Sequence, residues 1–131
     1  MIVIRWTQPF ELEISAHPVE LRGVMTQIRA VASGQMPRTV VAADQAADAR
    51  PYSRCLQRLT VNNGAGPTKV SVEGDAVEVT GSACHLAMFA SYFDLADESP
   101  VSPIRYHHHF EYFEGDDRMV PDSVPLVISV A

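Results

Sequence analysis

The chain has 131 residues, of which 47% are hydrophobic and 20% charged. This composition excludes a disordered chain and predicts one globular domain over residues 1–131, since a chain of this length buries enough apolar surface for a core. The formal net charge of −6 disfavours nucleic acid and anionic membrane surfaces as partners. No apolar run reaches the roughly 20 residues of a membrane span, and Cys55 and Cys84 lack the spacing of a zinc site or a disulfide scaffold. We therefore expect a cytoplasmic protein with reduced thiols and no cofactor.

The chain begins with two segments of alternating apolar residues. Apolar side chains occupy every second position in Ile2–Trp6 and again in Phe10–Ile14. This alternation predicts two strands joined by a short turn. We expect Trp6 to lie opposite Phe10 in this hairpin, because that register puts the apolar side chains of both strands on one face. The sequence therefore predicts a strand pair with one buried face.

An amphipathic helix is predicted after this hairpin. Pro18 suits the first turn of a helix, apolar residues recur at three-to-four spacing from Leu21 onward, and Gly34 ends the helix. Further strands are predicted at Thr39–Ala43 and around Leu56–Val61. The polar, alanine-rich segment between these two strands is predicted to be a loop.

The second half opens with another hairpin. Gly74 and Asp75 form a two-residue turn signal that pairs Val72 with Val77. Ser82 is a suitable N-cap for a second helix, whose apolar side faces the core. Pro100 and Pro103 mark the end of this helical region. The remaining strands are predicted at Tyr106–Phe113 and Leu126–Val130.

The two halves of the sequence resemble each other. Leu12-Glu-Ile-Ser-Ala precedes the first helix as Val77-Glu-Val-Thr-Gly precedes the second, and the predicted elements follow in the same order. This favours two pseudo-repeated ββαββ halves, residues 1–65 and 66–131, although any strand that leads into an amphipathic helix gives a similar string. Hairpins with one apolar face and two amphipathic helices predict an α+β fold, in which a mostly antiparallel sheet carries both helices on one face.

The negative charge is concentrated in the last third of the sequence. Residues 1–93 contain equal numbers of acidic and basic side chains, so the whole imbalance lies in residues 94–131. The segment Glu114–Met119 is acidic but lacks the ligand spacing of a calcium-binding loop. Glu114, Asp116 and Asp117 are therefore interpreted as solvated charges or as a patch that steers a basic protein toward the surface.

The most unusual string in the sequence is Tyr106–Phe113, which contains three consecutive histidines. Because alternate side chains of a strand share a face, His107, His109 and Glu111 are predicted on the face opposite His108. Two imidazoles and a carboxylate can bind zinc or iron, or can act as a general base with its orienting acid. They can equally form a solvated strand face, or an interface that pairs with a partner's arginine.

The C-terminal third also resembles a known family. The string from His107 to Gly115, followed by the segment Pro121–Ile128, is similar to the closing region of small bacterial immunity proteins from polymorphic toxin systems. His108 stands where that family usually has an aliphatic residue. The resemblance implies a cytoplasmic protein without enzymatic activity that binds and neutralises a cognate toxin, and we expect a basic toxin domain. The predicted partner-binding residues are His107, His109, Glu111, Glu114, Asp116 and Asp117.

Three alternatives remain at this stage. One is a small metal-dependent enzyme that uses His107, His109 and Glu111. Another is a homo-oligomeric structural protein that pairs exposed edge strands such as Leu126–Val130. The tandem order of elements also resembles sliding-clamp domains, but the acidic balance disfavours the binding of DNA.

Overall fold

The computed structural model describes residues 1–95 and 107–131. These residues form two helices and nine strands. The strands are β1 (Val3–Thr7), β2 (Glu11–Ala16), β3 (Arg38–Ala42), β4 (Arg54–Leu56), β5 (Arg58–Asn63), β6 (Lys69–Glu73), β7 (Ala76–Gly81), β8 (His107–Phe110) and β9 (Leu126–Val130). The helices are α1 (Pro18–Ala32) and α2 (Ala83–Ser91). Neither helix is long and apolar enough to cross a membrane.

The strands form two mixed sheets. The five-stranded sheet has the order β4-β1-β2-β9-β8, and the four-stranded sheet has the order β3-β5-β7-β6. Neighbouring strands are antiparallel except for β2 with β9 and β5 with β7. The predicted α+β class with two helices and mostly antiparallel pairing is therefore confirmed, with the strands divided between two sheets. Isolated bridges pair Ile2 with Ala43 and Thr68 with Met119.

The two sheets are related by a pseudo-twofold exchange of strands. The order β1-β2-β9-β8 in one sheet corresponds to β6-β7-β5-β3 in the other, and the parallel pair is central in both. The four-stranded sheet takes two strands from each half of the chain, and the five-stranded sheet takes three from the first half and two from the second. The sequence match noted above lies on β2 and β7, which occupy equivalent places before α1 and α2. β4 has no counterpart among the described strands.

A continuous apolar cluster joins both halves. The helices pack against each other, α1 also contacts strands of both sheets, and α2 contacts β7. Large side chains such as Phe89, Phe93 and Phe110 are fully buried, and their rings meet edge to face at centroid distances of 5.0 to 5.3 Å. Such aromatic contacts add to the free energy gained by burying apolar surface. The core therefore fixes where α2 ends and where β8 runs.

The local predictions agree with the structure to different degrees. The Gly74–Asp75 hairpin pairs Val72 with Val77 as predicted, and Gly34 follows α1 with a φ of 83°. The first hairpin has a different register, because Trp6 lies opposite Leu12 rather than Phe10. The turn spans residues 8–10, and this leaves Phe10 exposed.

Two predictions for the second half need correction. The strand predicted over Tyr106–Phe113 is observed over His107–Phe110, because residues 111–113 leave the sheet. Three residues named in the predictions lie outside the described residues, namely Pro100, Pro103 and Tyr106. The strand Leu126–Val130 is not an edge, because β9 pairs with β2 on one side and with β8 on the other. The edge pairing suggested for this strand in a homo-oligomer is therefore wrong.

Candidate functional site

The histidine strand β8 presents two different faces. His107 and His109 are exposed, whereas Phe110 is buried and His108 is half-buried. The Nδ1–H of His108 donates a hydrogen bond to the carbonyl oxygen of Tyr92 at 2.8 Å. This bond satisfies a polar ring beside the core, at a position where an aliphatic side chain would simply pack. The predicted alternation of side chains is confirmed along β8.

The exposed side of β8 carries a histidine–carboxylate pair. Nδ1 of His109 donates to Oε1 of Glu111 at 2.9 Å, and both side chains are about half exposed to solvent. The rings of His107 and His109 meet edge to face with centroids 4.9 Å apart. The structure therefore brings together the three side chains that the sequence placed on one face, although Glu111 lies just beyond the strand.

These three side chains do not form a metal-binding arrangement. Across residues 1–95 and 107–131, no group of three or more His, Cys, Asp or Glu side chains is placed to hold a metal ion. A metal site needs its donors to converge on one point, but here Oε1 of Glu111 accepts a hydrogen bond from Nδ1–H of His109. Within the described residues, His107, His109 and Glu111 are thus arranged as a hydrogen-bonded surface group.

The acidic loop, residues 111–118, is closed by a tight turn after β8. The amide of Asp116 donates to the carbonyl oxygen of Phe113 at 2.9 Å, and Gly115 has a φ of 83°. Such a φ in a turn favours glycine because it has no Cβ. Glu114 lies within this turn and Asp117 follows it, and both residues are exposed, so both are available to a partner.

Asp116 departs from the predicted role. Its carboxylate is 1% exposed and receives three hydrogen bonds from Arg118, from the amide at 2.9 Å, Nε at 2.9 Å and Nη2 at 2.7 Å. The Arg118 guanidinium holds the pKa of the Asp116 carboxyl below its usual value, and the carboxylate in turn raises the pKa of Arg118. Asp116 is therefore an internal partner of Arg118 and does not contribute an exposed charge.

Arg118 ties the acidic loop to the core. Its Nη2 donates to the carbonyl oxygen of Glu111 at 2.8 Å, and its Nη1 donates to the Tyr92 hydroxyl. The guanidinium carbon also lies 5.2 to 5.7 Å from the ring centroids of Tyr92, Phe110 and Phe113. These distances are within the range of cation–π attraction. Arg118 is not among the residues predicted for the site, although the Asp-x-Arg spacing and the nearby aromatic residues are signals in the sequence.

The beginning of α2 supports the loop from the other side. Nε2 of His85 donates to the carbonyl oxygen of Asp117 at 3.1 Å. With Nε2 as the donor, Nδ1 of a neutral His85 accepts the hydroxyl of Ser82, which lies 2.6 Å away. Cys84 is exposed next to this pair, Cys55 is half-buried, and both thiols are free. The loop therefore has fixed contacts with α2 as well as with β8.

The exposed part of the site is smaller than the sequence predicted. His107, His109, Glu111, Glu114 and Asp117 lie at the surface, while Asp116 is buried beneath them. Comparison of the chain with models of protein families, with curated proteins and with solved structures finds no match. The interpretation of the site consequently depends on its geometry and charge.

Proposed function

We propose that this chain is an immunity-type binding protein, which neutralises a cognate bacterial toxin by direct contact. The proposed contact surface consists of His107, His109, Glu111, Glu114 and Asp117. The observation that carries the proposal is the acidic loop itself, whose backbone is held by Arg118 and its ion pair with Asp116 while Glu111, Glu114 and Asp117 stay exposed.

The charge of this surface favours a basic partner. The positive charge of Arg118 is offset by Asp116, so Glu111, Glu114 and Asp117 leave the loop with a negative surface. Complementary charges raise the association rate of two proteins and reduce the binding of wrong partners. A toxin domain that binds anionic substrates such as nucleic acid carries the basic surface that this loop fits.

The rigidity of the loop also favours a binding role. Five hydrogen bonds of Arg118 and the bond between His85 and Asp117 restrain the loop before any partner arrives. A surface that is already ordered loses less conformational entropy when it binds. The proposal places the protein in the cytoplasm, where a toxin of this type would act, and assigns it no enzymatic activity.

Co-expression with a toxin tests this proposal. The probes are the products of the genes that flank the gene of this chain, each expressed with and without the chain, and the readout is the growth of the cells. The double variant Glu111→Lys/Glu114→Lys should abolish protection and slow association of the purified proteins about 10-fold or more at low salt, because it replaces attraction by repulsion.

A matched variant controls for net charge. Asp48→Lys/Glu73→Lys makes the same change in total charge at exposed positions on other parts of the surface, so it should leave protection intact. Equal protection by the wild-type chain and by both variants would show that the acidic loop is not the contact surface. Failure of the wild-type chain to protect would refute the immunity function for this toxin pair.

A further inference from the structure

The acidic loop contains an exposed aromatic side chain. Phe113 is 61% exposed and begins the turn that follows β8, between Glu111 and Glu114. A phenylalanine in water gives up the free energy that burial of its ring would provide, which is about 1.5 to 3 kcal/mol for a large apolar side chain. A single exposed apolar residue is common in proteins, so its surroundings decide whether it has a role.

The ring of Phe113 is held in place although it is exposed. The guanidinium carbon of Arg118 lies 5.2 Å from the ring centroid, and the Phe113 carbonyl oxygen accepts the turn hydrogen bond from Asp116. Arg118 cannot easily move away, because Asp116, Tyr92 and the Glu111 carbonyl hold its guanidinium. Phe113 therefore has one face against a fixed cation and the other face available to a partner.

The exposed residues closest to Phe113 in the sequence are acidic. Glu111, Glu114 and Asp117 are all exposed, and the charge of Arg118 beneath the ring is offset by Asp116. An apolar centre with a polar rim is the usual arrangement of a protein interface, in which a few aromatic anchors contribute most of the binding free energy. A fixed ring suits this role because little side-chain entropy is lost on binding.

We propose that Phe113 is the apolar anchor of the interface, and that the partner is a protein with an apolar pocket surrounded by lysine or arginine side chains. This inference rests on the proposed function and names the partner surface that it requires. The pocket would receive the free face of the ring, while its basic rim would pair with Glu111, Glu114 and Asp117. Arg118 is the positioning residue, since it acts on the partner only through Phe113 and the loop.

Phe10 provides a matched control for this inference. It is 66% exposed, close to the value for Phe113, and lies in the turn between β1 and β2. No cation contacts its ring within the described residues. Phe10→Ala therefore removes an equally exposed ring from a different site.

The probe is the flanking-gene product against which the chain protects cells in the co-expression test, and it is titrated calorimetrically with the purified wild-type protein and its variants. Phe113→Ala should weaken the dissociation constant about 30-fold or more, as expected for an aromatic hot spot, while Phe10→Ala should change it less than about 3-fold. The salt dependence of binding should stay unchanged in Phe113→Ala and fall in Glu114→Gln, because only the second variant removes a charge. Phe113→Leu keeps an apolar side chain and should recover part of the lost affinity.

The outcomes separate the two proposals. If the wild-type chain binds and Phe113→Ala binds equally well, the anchor is wrong while the proposed function stands. If the wild-type chain does not bind, both are wrong. Circular dichroism of each variant checks that the fold is intact, and a folded Phe113→Ala with weaker binding supports the anchor.

Discussion

The same local ion pair occurs in both halves of the molecule, at topologically equivalent places. In Asp48-x-Arg50 and in Asp116-x-Arg118, the arginine amide and Nε donate to Oδ1 of the aspartate at 2.9 to 3.0 Å, and Nη2 donates to Oδ2 at 2.7 Å. Both pairs lie in the loop that follows the third strand of their half, β3 or β8. The local sequence is therefore sufficient to form the pair.

The surroundings of the two pairs differ. The side chains of Arg50 and Asp48 are 88% and 59% exposed, whereas those of Arg118 and Asp116 are 19% and 1% exposed. Arg118 has further partners in Tyr92 and Glu111, and no such contact of Arg50 occurs within the described residues. An exposed pair is screened by water and contributes little, while a buried pair is costly to break. The comparison shows that tertiary contacts, rather than the motif, decide what an ion pair does.

The largest expected effect is the loss of Arg118. Arg118→Ala removes the ion-pair partner of Asp116 together with the bonds to Tyr92 and the Glu111 carbonyl, and should lower the free energy of unfolding by about 2 to 3 kcal/mol. Arg50→Ala removes the equivalent exposed side chain and should leave the unfolding midpoint in urea unchanged. Similar shifts for both variants would mean that burial does not distinguish the two pairs.

The pH dependence of stability tests the same comparison at Asp116. Because the pKa of the Asp116 carboxyl is lowered in the folded state from its usual 3.8, the ion pair contributes fully above that value and is lost as pH falls through the lowered pKa. Asp116→Asn should reduce the free energy of unfolding by about 2 kcal/mol near neutral pH, and its difference from the wild type should shrink below about pH 4. A difference that stays constant down to about pH 2 would contradict the role of the charge.

The equivalent strands β2 and β7 end differently, and this gives a smaller effect. A Cβ on Gly81 would lie 3.1 Å from Oγ1 and 3.2 Å from Cα of Thr68. Thr68 is fully buried, and its backbone is hydrogen-bonded to Arg118 and Val120. Gly81→Ala should therefore lower the free energy of unfolding by about 1 kcal/mol. The overpacked Cβ costs about 1 to 3 kcal/mol, and the reduced entropy of the unfolded chain offsets about 0.4 to 1 kcal/mol of that cost. Ala16 occupies the same place in β2 and tolerates its Cβ.

Measurement of both ends completes that test. Ala16→Gly should also destabilise the fold in urea denaturation, because glycine costs conformational entropy in a strand. Stabilisation by Gly81→Ala would show that Thr68 moves aside.

The smallest expected effect concerns the helix caps. The Ser82 hydroxyl donates to His85 rather than capping the amides of α2, whereas Nδ1 of His17 accepts the amide of Val19 at the start of α1. Ser82→Ala should lower the free energy of unfolding by less than about 0.5 kcal/mol, below the roughly 1 kcal/mol expected for a capping serine. A loss of the full capping value would indicate that the hydroxyl caps the helix in solution.

Much of the fold could be predicted from the sequence because its signals are local. The Gly74–Asp75 turn fixes the register of its hairpin, and Pro18 and Gly34 mark the limits of α1. The first hairpin has a three-residue turn, and alternation alone does not distinguish that register from one shifted by two residues, since both keep the same face buried. The division into two sheets depends on long-range pairing, which periodicity does not encode.

The site could be predicted only in part for the same reason. The shared face of His107, His109 and Glu111 follows from the period of a strand. The burial of Asp116 depends on Arg118 and Tyr92, which belong to different elements and meet only after α2 packs beside β8. A charge count therefore could not separate the exposed carboxylates from the internal one.

The exchange of strands between the sheets has a consequence for how the protein is made on the ribosome. In the five-stranded sheet, β9 lies between β2 and β8. A nascent chain that has emerged only through α2 lacks both β8 and β9. In such a chain β2 pairs only with β1, and the five-stranded sheet is incomplete. Pairs that join residues far apart in sequence form late. All strands of the four-stranded sheet precede α2, so we expect the emerging chain to form that sheet first and to complete the five-stranded sheet only when β9 is released.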